Sequence, residues 1–322
     1  MMEQNNNIDV SVVIVCMNNY QQLKNCLVSI KEYTQEVSYE VLLVAYFFSK
    51  KNLAKIRDEF PWVKVIVSDE IRGFSANNNL ALRQAQGRYC FVLNDDTYMT
   101  MPVVDLLVRQ IKANNNITLL SPQILRPDGS VQYSGIPPIN WIKWLRIIYK
   151  IDNERIDKDS PFIQYKGLFK TYNILGAAFL IKTDVFRELG FFDEYYFFGP
   201  EDKALSTLLN KKGYECWIDA DIKITHLGGA TGGPLSKTVE ATRPAERKGS
   251  VRMYSEGRKA LELFLSLMIF VYSAFLLMIF AIKSLAVKET SSRYALNANY
   301  HVCCTIFSRL TPLDIFKKYY KR

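Results

Sequence analysis

Histidine is nearly absent from this chain, with two in 322 residues, and the six cysteines at 16, 26, 90, 216, 303 and 304 form no Cys-x-x-Cys pair. That spacing offers no zinc framework, and Cys16, Cys26, Cys90 and Cys216 sit in the apolar or helix-like surroundings of reduced core thiols. No G-x-G-x-x-G follows the first apolar run, which disfavours a dinucleotide-binding turn. The opening segment Met1 to Asp9 is polar and asparagine-rich, without a basic n-region or an apolar h-region, so no signal peptide is expected there. Without such a signal, the acceptor triplet Asn116-Ile117-Thr118 reads as chance. No internal repeat is visible.

Net charge is also absent from most of the chain. Residues 1–241 carry 27 cations and 27 anions, whereas residues 242–322 carry 14 and 5, which is the whole excess of +9. A nucleic-acid binder would spread its cations over the folded domain or a basic helix. Here they flank Leu263 to Ile282, 20 positions without a charged residue, which points to an anionic membrane surface. Twenty such residues at about 1.5 Å each match a hydrocarbon core of about 30 Å. Both flanks are basic, so charge gives no orientation, and a spanning and a surface-lying helix stay open. The expected division is a folded domain over 1–241, a basic amphipathic linker over 242–262, a transmembrane or membrane-associated helix over 263–285 and a basic tail over 286–322.

What is present in the first 241 residues is strand–helix alternation. Val10 to Met17 is almost continuously apolar, Leu23, Cys26, Leu27 and Ile30 follow at helical spacing, and Glu40 to Ala45 is a second strand. Leu53 to Phe60 reads as a helix and Val63 to Val67 as a strand. Gly73 to Gln86 reads as a helix stopped by Gly87, and Tyr89 to Leu93 as a strand. This rhythm predicts a doubly wound parallel sheet. Met101 to Asn114 is a further helix and Ile117 to Pro122 a strand, before residues 126–172 turn irregular. Within them Trp141 to Lys150 reads as a surface helix or loop packed on the domain. Ile174 to Ile181 is expected as an interrupted strand, Asp184 to Leu189 and Pro200 to Lys212 as helices, and Cys216 to Asp219 as a short strand.

Chemistry concentrates in three places. Asn94-Asp95-Asp96-Thr97 ends the strand at Leu93, where ligands of open α/β sheets bind; two carboxylates there can hold a divalent cation and through it a phosphate, or simply make an Asx-rich turn. Glu201-Asp202 follow Gly199-Pro200, where acids suit a helix N-terminus; the aromatic run Phe191 to Phe198 beside them also suits sugar stacking and a raised carboxylate pKa. His226 precedes Gly228-Gly229 and Gly232-Gly233, pairs suited to a loop closing over phosphates.

In order, VSVVIVCMNN, GFSANNNLALRQAQGRYCFVLNDDT, GAAFLIKTDVFRELGFFDEYYFFGPEDKAL and THLGGA resemble the family 2 glycosyltransferases, closest to a rhamnosyltransferase-like branch that builds bacterial surface polysaccharides. The resemblance covers about residues 8–230. It implies a GT-A fold with a Rossmann-like mixed sheet, a nucleotide-diphosphate sugar as donor, Mn²⁺ or Mg²⁺, and inversion at the anomeric carbon. The acceptor would be a saccharide or lipid-linked sugar, at the cytoplasmic side of the cell membrane. Asn94-Asp95-Asp96 fills the place of the DXD-like motif, with Asp96 as metal ligand, and His226 matches a histidine that completes the metal or phosphate site. Asp202 matches the general base, with Glu201 beside it. Cys16 and Asn18 match the nucleotide-contacting end of the first strand, and Gly73, Asn78 and Gly176 match small or amide positions around nucleotide and sugar. One departure stands out: Ala45 holds the place of an aspartate that contacts the nucleobase. The weighed alternatives are a sugar nucleotidyltransferase, for which Met17 to Gln21 lacks the Gly and Lys of the usual loop, and a degenerate membrane-bound scaffold.

Overall fold

The computed structural model describes residues 8–132, 135, 137–152, 164–228, 237–286 and 290–320. The expected glycine loop at Gly229 and Gly232-Gly233, together with Lys288, Lys321 and Arg322, lies outside the described residues.

The first third alternates as the apolar spacing predicts: β1 (Val10–Cys16), α1 (Tyr20–Tyr33), β2 (Tyr39–Tyr46), α2 (Lys50–Glu59), β3 (Val63–Ser68), α3 (Phe74–Leu82) and β4 (Tyr89–Asn94). Strands β3, β2, β1 and β4 lie side by side and parallel. The helical positions Leu23, Cys26, Leu27 and Ile30 are all buried, as a face four residues apart requires. Helix α3 ends four residues before the predicted Gln86. The Ser11 hydroxyl takes the backbone N–H groups of Gln86 and Gly87 at 3.1 and 2.8 Å, and this capture competes with further helix.

The chain continues through β5 (Thr97–Tyr98), α4 (Val103–Ala113), β6 (Ile117–Leu125), β7 (Val131–Gln132), α5 (Trp141–Ile148), β8 (Leu168–Thr171), β9 (Ala178–Lys182), α6 (Thr183–Glu188), α7 (Glu201–Lys211) and β10 (Glu215–His226). The sheet order is β3-β2-β1-β4-β9-β6-β10-β5, with β7 on β6 and β8 on β10. The sheet is therefore mixed: β9 runs antiparallel to both neighbours, β4 and β6, where strand–helix alternation alone predicted a parallel sheet. Strand β9 is also shorter than expected, because Ile174 to Ala177 forms a crossing outside the ladder. Strand β10 is longer, reaching His226 instead of stopping at Asp219. Its register on β6 shifts between Asp219 and Lys223, where Asp219 accepts Asp221 N–H at 3.0 Å and Gln110 Nε2 at 3.0 Å. This polar kink hid the second half of the strand from an apolar-run reading.

The last quarter is helical: α8 (Val239–Ser255), α9 (Lys259–Ala286), α10 (Thr290–Thr305) and α11 (Pro312–Tyr319). Residues 242–262, expected as a linker, are thus mostly helix, and Ala241, Pro244, Ala245, Gly249, Ser250 and Val251 of α8 are buried. The expected tail folds back: Lys248 Nζ donates to the carbonyls of Ile306 and Ser308 at 2.9 and 2.8 Å, closing the end of α10. The stretch expected as a surface helix or loop packed on the domain forms helix α5, whose Trp144 and Leu145 join Val251, Tyr254, Leu265 and Ile269 of this helical layer in one apolar cluster.

One buried acid holds the α1–β2 turn. Asp105 on α4 is 3% exposed and accepts the N–H groups of Gln35, Glu36 and Val37 at 3.0, 3.2 and 3.2 Å. Hydrogen bonds to a charged group contribute about 1.5–3 kcal/mol each, and the losses overlap, so Asp105→Ala is expected to lower the unfolding free energy by about 2–4 kcal/mol in urea titrations.

Candidate active site

The carboxyl edge of β4 and the end of β10 meet through a short ladder. His226 pairs with Thr97 and Thr225 with Tyr98, and Leu227 N–H donates to the Asp96 carbonyl at 2.8 Å. This brings His226 Nε2 to 3.1 Å from Asp96 Oδ1 and 3.4 Å from Asn94 Nδ2. Both Asp96 and His226 are nearly enclosed, at 7% and 8% exposure. The other ring nitrogen, Nδ1, lies 2.8 Å from Gln132 Oε1, to which it donates in the tautomer that carries its proton there. The Nε2 lone pair then faces the Asp96 carboxylate, an arrangement of two acceptors that a cation or a proton on Nε2 would satisfy. An imidazole held from behind by the Gln132 amide, beside a carboxylate, is a donor set that fits Mn²⁺ or another divalent ion. Among the described residues no three His, Cys, Asp or Glu side chains converge as a complete cage, so further ligands would have to come from a bound diphosphate or water.

Asp95 sits between this pair and β1. Burial, reinforced by the neighbouring Asp96 charge, pushes its carboxyl up to about 6, although a hydrogen bond with the Cys16 thiol and the nearby His226 pull the other way. Cys16 is itself pushed upward, first by burial and then by Asp95, so it is a neutral thiol lining the edge and not a nucleophile.

The second carboxylate pair arrives from α7. Gly199 adopts φ +66°, a left-handed turn that glycine takes without a Cβ penalty, and Pro200 caps α7 so that Glu201 and Asp202 form its first turn. Asp202 Oδ2 accepts Gly176 N–H at 3.2 Å and Oδ1 accepts Lys203 N–H at 2.7 Å, so both oxygens are held by backbone. A Cβ on Gly176 would stand 3.3 Å from Asp202 Cβ, so this crossing is shaped to the acid. The adjoining Ala177 carbonyl accepts Asn94 N–H at 2.9 Å, which ties the Asp202 half of the edge to the Asp96–His226 half. Burial raises the Asp202 carboxyl above the usual range, opposed by the Lys203 charge. Glu201 is raised as well, by burial and then by Asp202, and its buried Oε2 has no hydrogen-bond partner among the described residues.

Other sequence candidates are placed differently. Gly73 caps α3, where a Cβ would lie 2.1 Å from the Phe197 carbonyl; its smallness serves the close packing of α3 on the segment leading to Glu201-Asp202. Asn78 donates to Phe74 O within α3 at 2.9 Å. Asn18, at φ +54°, accepts Ser49 N–H and Asn52 Nδ2 at 2.9 and 3.0 Å, fastening the end of β1 to α2. Ala45 is fully buried at the end of β2 beside Cys16, and offers no polar group to a nucleobase. Two residues escaped the sequence reading. Gln132, an isolated glutamine after a turn, gave no signal. Asn79 bonds Phe192 O and N at 2.9 and 3.1 Å and so anchors the aromatic run, and was hidden within the Asn77-Asn78-Asn79 triplet.

Three comparisons bear on this arrangement. O-antigen biosynthesis protein RfbC of Myxococcus xanthus is 23% identical over 220 residues, which are 67% of this chain and 17% of that protein; the chain therefore spans about a sixth of that relative's length. GalNAc-T7, in a crystal structure with UDP, GalNAc and Mn²⁺, superposes with a TM-score of 0.54 at 18% identity, covering 73% of this chain and 47% of its own; the likeness is one of fold. The family model for glycosyl transferase family 2 matches residues 11–189, from β1 through α6. With its mixed GT-A sheet, the chain belongs to glycosyl transferase family 2.

Proposed function

We propose that the enzyme transfers rhamnose or another hexose from a nucleotide-diphosphate donor to a saccharide or lipid-linked acceptor in bacterial surface-polysaccharide synthesis, inverting the anomeric centre. The observation that supports this is the Asn94–Ala177 and Gly176–Asp202 pair of hydrogen bonds, which sets the half-buried Asp202 carboxylate on the same strand edge as the Asp96–His226 pair. The O-antigen biosynthesis for which RfbC is named supports the pathway class, and the UDP, GalNAc and Mn²⁺ held by GalNAc-T7 support the donor class and a divalent metal.

In this reading Asp96 and His226 hold Mn²⁺ or Mg²⁺, with Asn94 and Asp95 at its margin. When bound, the metal supplies positive charge against the leaving diphosphate. Asp202, oriented by the Gly176 and Lys203 N–H groups, takes the proton from the acceptor hydroxyl as that oxygen attacks the anomeric carbon. Its upward-shifted pKa makes it a stronger base than a solvated carboxylate. One base serves a single displacement, so inversion follows without a covalent intermediate. Cys16, Asn18 and Ala45 border the nucleotide end. With Ala45 in place of a polar residue, the neighbouring backbone and Tyr46-Phe47 rings, 4.5 Å apart, would meet the base. The catalytic unit is assigned to 1–241, and helices α8 to α11, which begin within its last residues, form the helical layer attached to it.

Three outcomes test the assignment. Asp202→Asn should leave donor affinity by calorimetry near wild type and lower turnover by about 10²–10⁴-fold, the usual contribution of a general base; near-normal turnover would move the role to Glu201. Excess EDTA should abolish transfer, with Mn²⁺ or Mg²⁺ restoring it, and Asp96→Ala should weaken nucleotide-sugar binding; full activity in EDTA would end the metal assignment. The third is a matter of stability. Glu201 holds its proton above the ordinary carboxylate range when folded and releases it there when unfolded, so the folded state binds the extra proton. Stability should therefore fall as pH rises from about 4.5 toward the higher folded pKa. Urea midpoints for Glu201→Gln should fall less over that window than those of the wild type.

A further inference from the structure

Helix α9 has two faces. Leu265, Ser266, Ile269 and Ser273 are buried against the helical layer, while Leu263, Leu267, Val271, Phe275, Met278 and Ile282 are 49–68% exposed. Their spacing of three and four residues makes one apolar stripe, about 28 Å long at 1.5 Å per residue. It is the one helix among the described residues long and apolar enough to cross a membrane. Its inner face argues against a crossing. The Tyr149 hydroxyl of the α5 C-cap donates to Met268 O at 2.6 Å, Phe270 rings with Phe307 at 5.8 Å, and Cys303 Sγ of α10 lies 3.9 Å from Phe270 O. Half-buried Arg243 of α8 sits within electrostatic range of Tyr272, at the midpoint of the apolar run. A spanning α9 would carry this arginine, and α10 with its Arg293 and Asn297, into hydrocarbon, at a cost that such groups rarely bear.

We propose that α9 lies in the plane of an anionic bilayer, with its outer stripe in the acyl boundary and its inner face on the helical layer. Cations border the stripe at both ends, with exposed Arg258 and Lys259 at the start and exposed Lys283 at the finish, whereas Glu262 turns inward toward Lys248. Trp141 of α5 meets Phe264 edge-on at 5.8 Å and extends the surface with an aromatic of the kind found at lipid headgroup depth. The same charges disfavour a second copy as the occupant. Parallel or antiparallel pairing of two stripes would set cationic ends against cationic ends, while phosphate headgroups complement both. An in-plane helix also explains basic flanks on both sides of the apolar run, because both stay on one leaflet. The proposal does not rest on the catalytic reading, and its test reads binding alone.

The experiment is flotation of the purified full-length chain with vesicles. Phosphatidylglycerol–phosphatidylcholine vesicles should bind it, and pure phosphatidylcholine should bind it at least about tenfold more weakly, because each cation near the surface contributes about 1 kcal/mol. Lys259→Glu with Lys283→Glu should lose the preference for anionic lipid, and Val271→Glu with Phe275→Glu should lose binding while keeping the wild-type circular dichroism spectrum. Tryptophans added singly at Leu263, Val271 and Met278 should gain equal quenching from shallow brominated lipids and little from deep ones. A depth profile with Val271 at the bilayer centre would mean a span and overturn the proposal. So would a chain that ignores vesicles and forms a dimer through the stripe in light scattering.

Discussion

The backbone hydrogen bond from Asn94 to Ala177 holds the two halves of the site together. It lies at the end of the β4–β9 ladder, where an antiparallel strand is inserted between β4 and β6. In an all-parallel sheet the crossing Ile174 to Ala177 would not enter at the carboxyl edge, and Gly176 would not meet Asp202. Because β9 descends from that edge, the carboxylate of α7 and the Asp96–His226 pair share one rim, although more than a hundred residues separate Asp96 from His226.

Environment then divides the labour among four acids of similar chemistry. Asp96 faces an imidazole whose other nitrogen is fixed by Gln132, which suits a cation. Asp95 is turned toward the Cys16 thiol and raised by burial. Asp202 has both oxygens held by backbone donors, whereas Glu201 is held by the backbone of Glu201 and Gly199 and leaves its buried Oε2 without a partner among the described residues. This contrast favours Asp202 as the ionised partner and Glu201 as the neutral one within the first turn of α7.

Much of the fold was legible in the sequence because the first four strands are largely apolar runs, broken only by Ser11, Glu40 and Lys64 among their inner positions, and helical spacing lies between them. Legibility failed where polar residues do structural work. The Asp219–Asp221 kink concealed half of β10, and the Ser11 hydroxyl shortened α3. The charge count marked residues 242–322 as a membrane-facing region without revealing that Lys248 and Asn297 weave α8 and α10 into one layer, the latter through Glu240 at 2.8 Å. At the site, the motifs named Asp96, Asp202 and His226. They could not separate Gly176, which touches Asp202, from Gly73, which touches Phe197, because a glycine carries no mark of what approaches it. Gln132 acts through a tertiary contact alone.

The central claim is that Asp96 and His226 form one end of a metal–diphosphate site whose other end is Asp202. Crystals grown with Mn²⁺ and a nucleoside diphosphate, measured at the manganese absorption edge, test it most directly. The account predicts one strong anomalous peak in contact with Asp96 and His226 Nε2, with the diphosphate beside that peak and the Gly176–Asp202 crossing left open for the sugar and acceptor. A peak elsewhere, or a diphosphate bound on that edge with no peak beside Asp96, would contradict it.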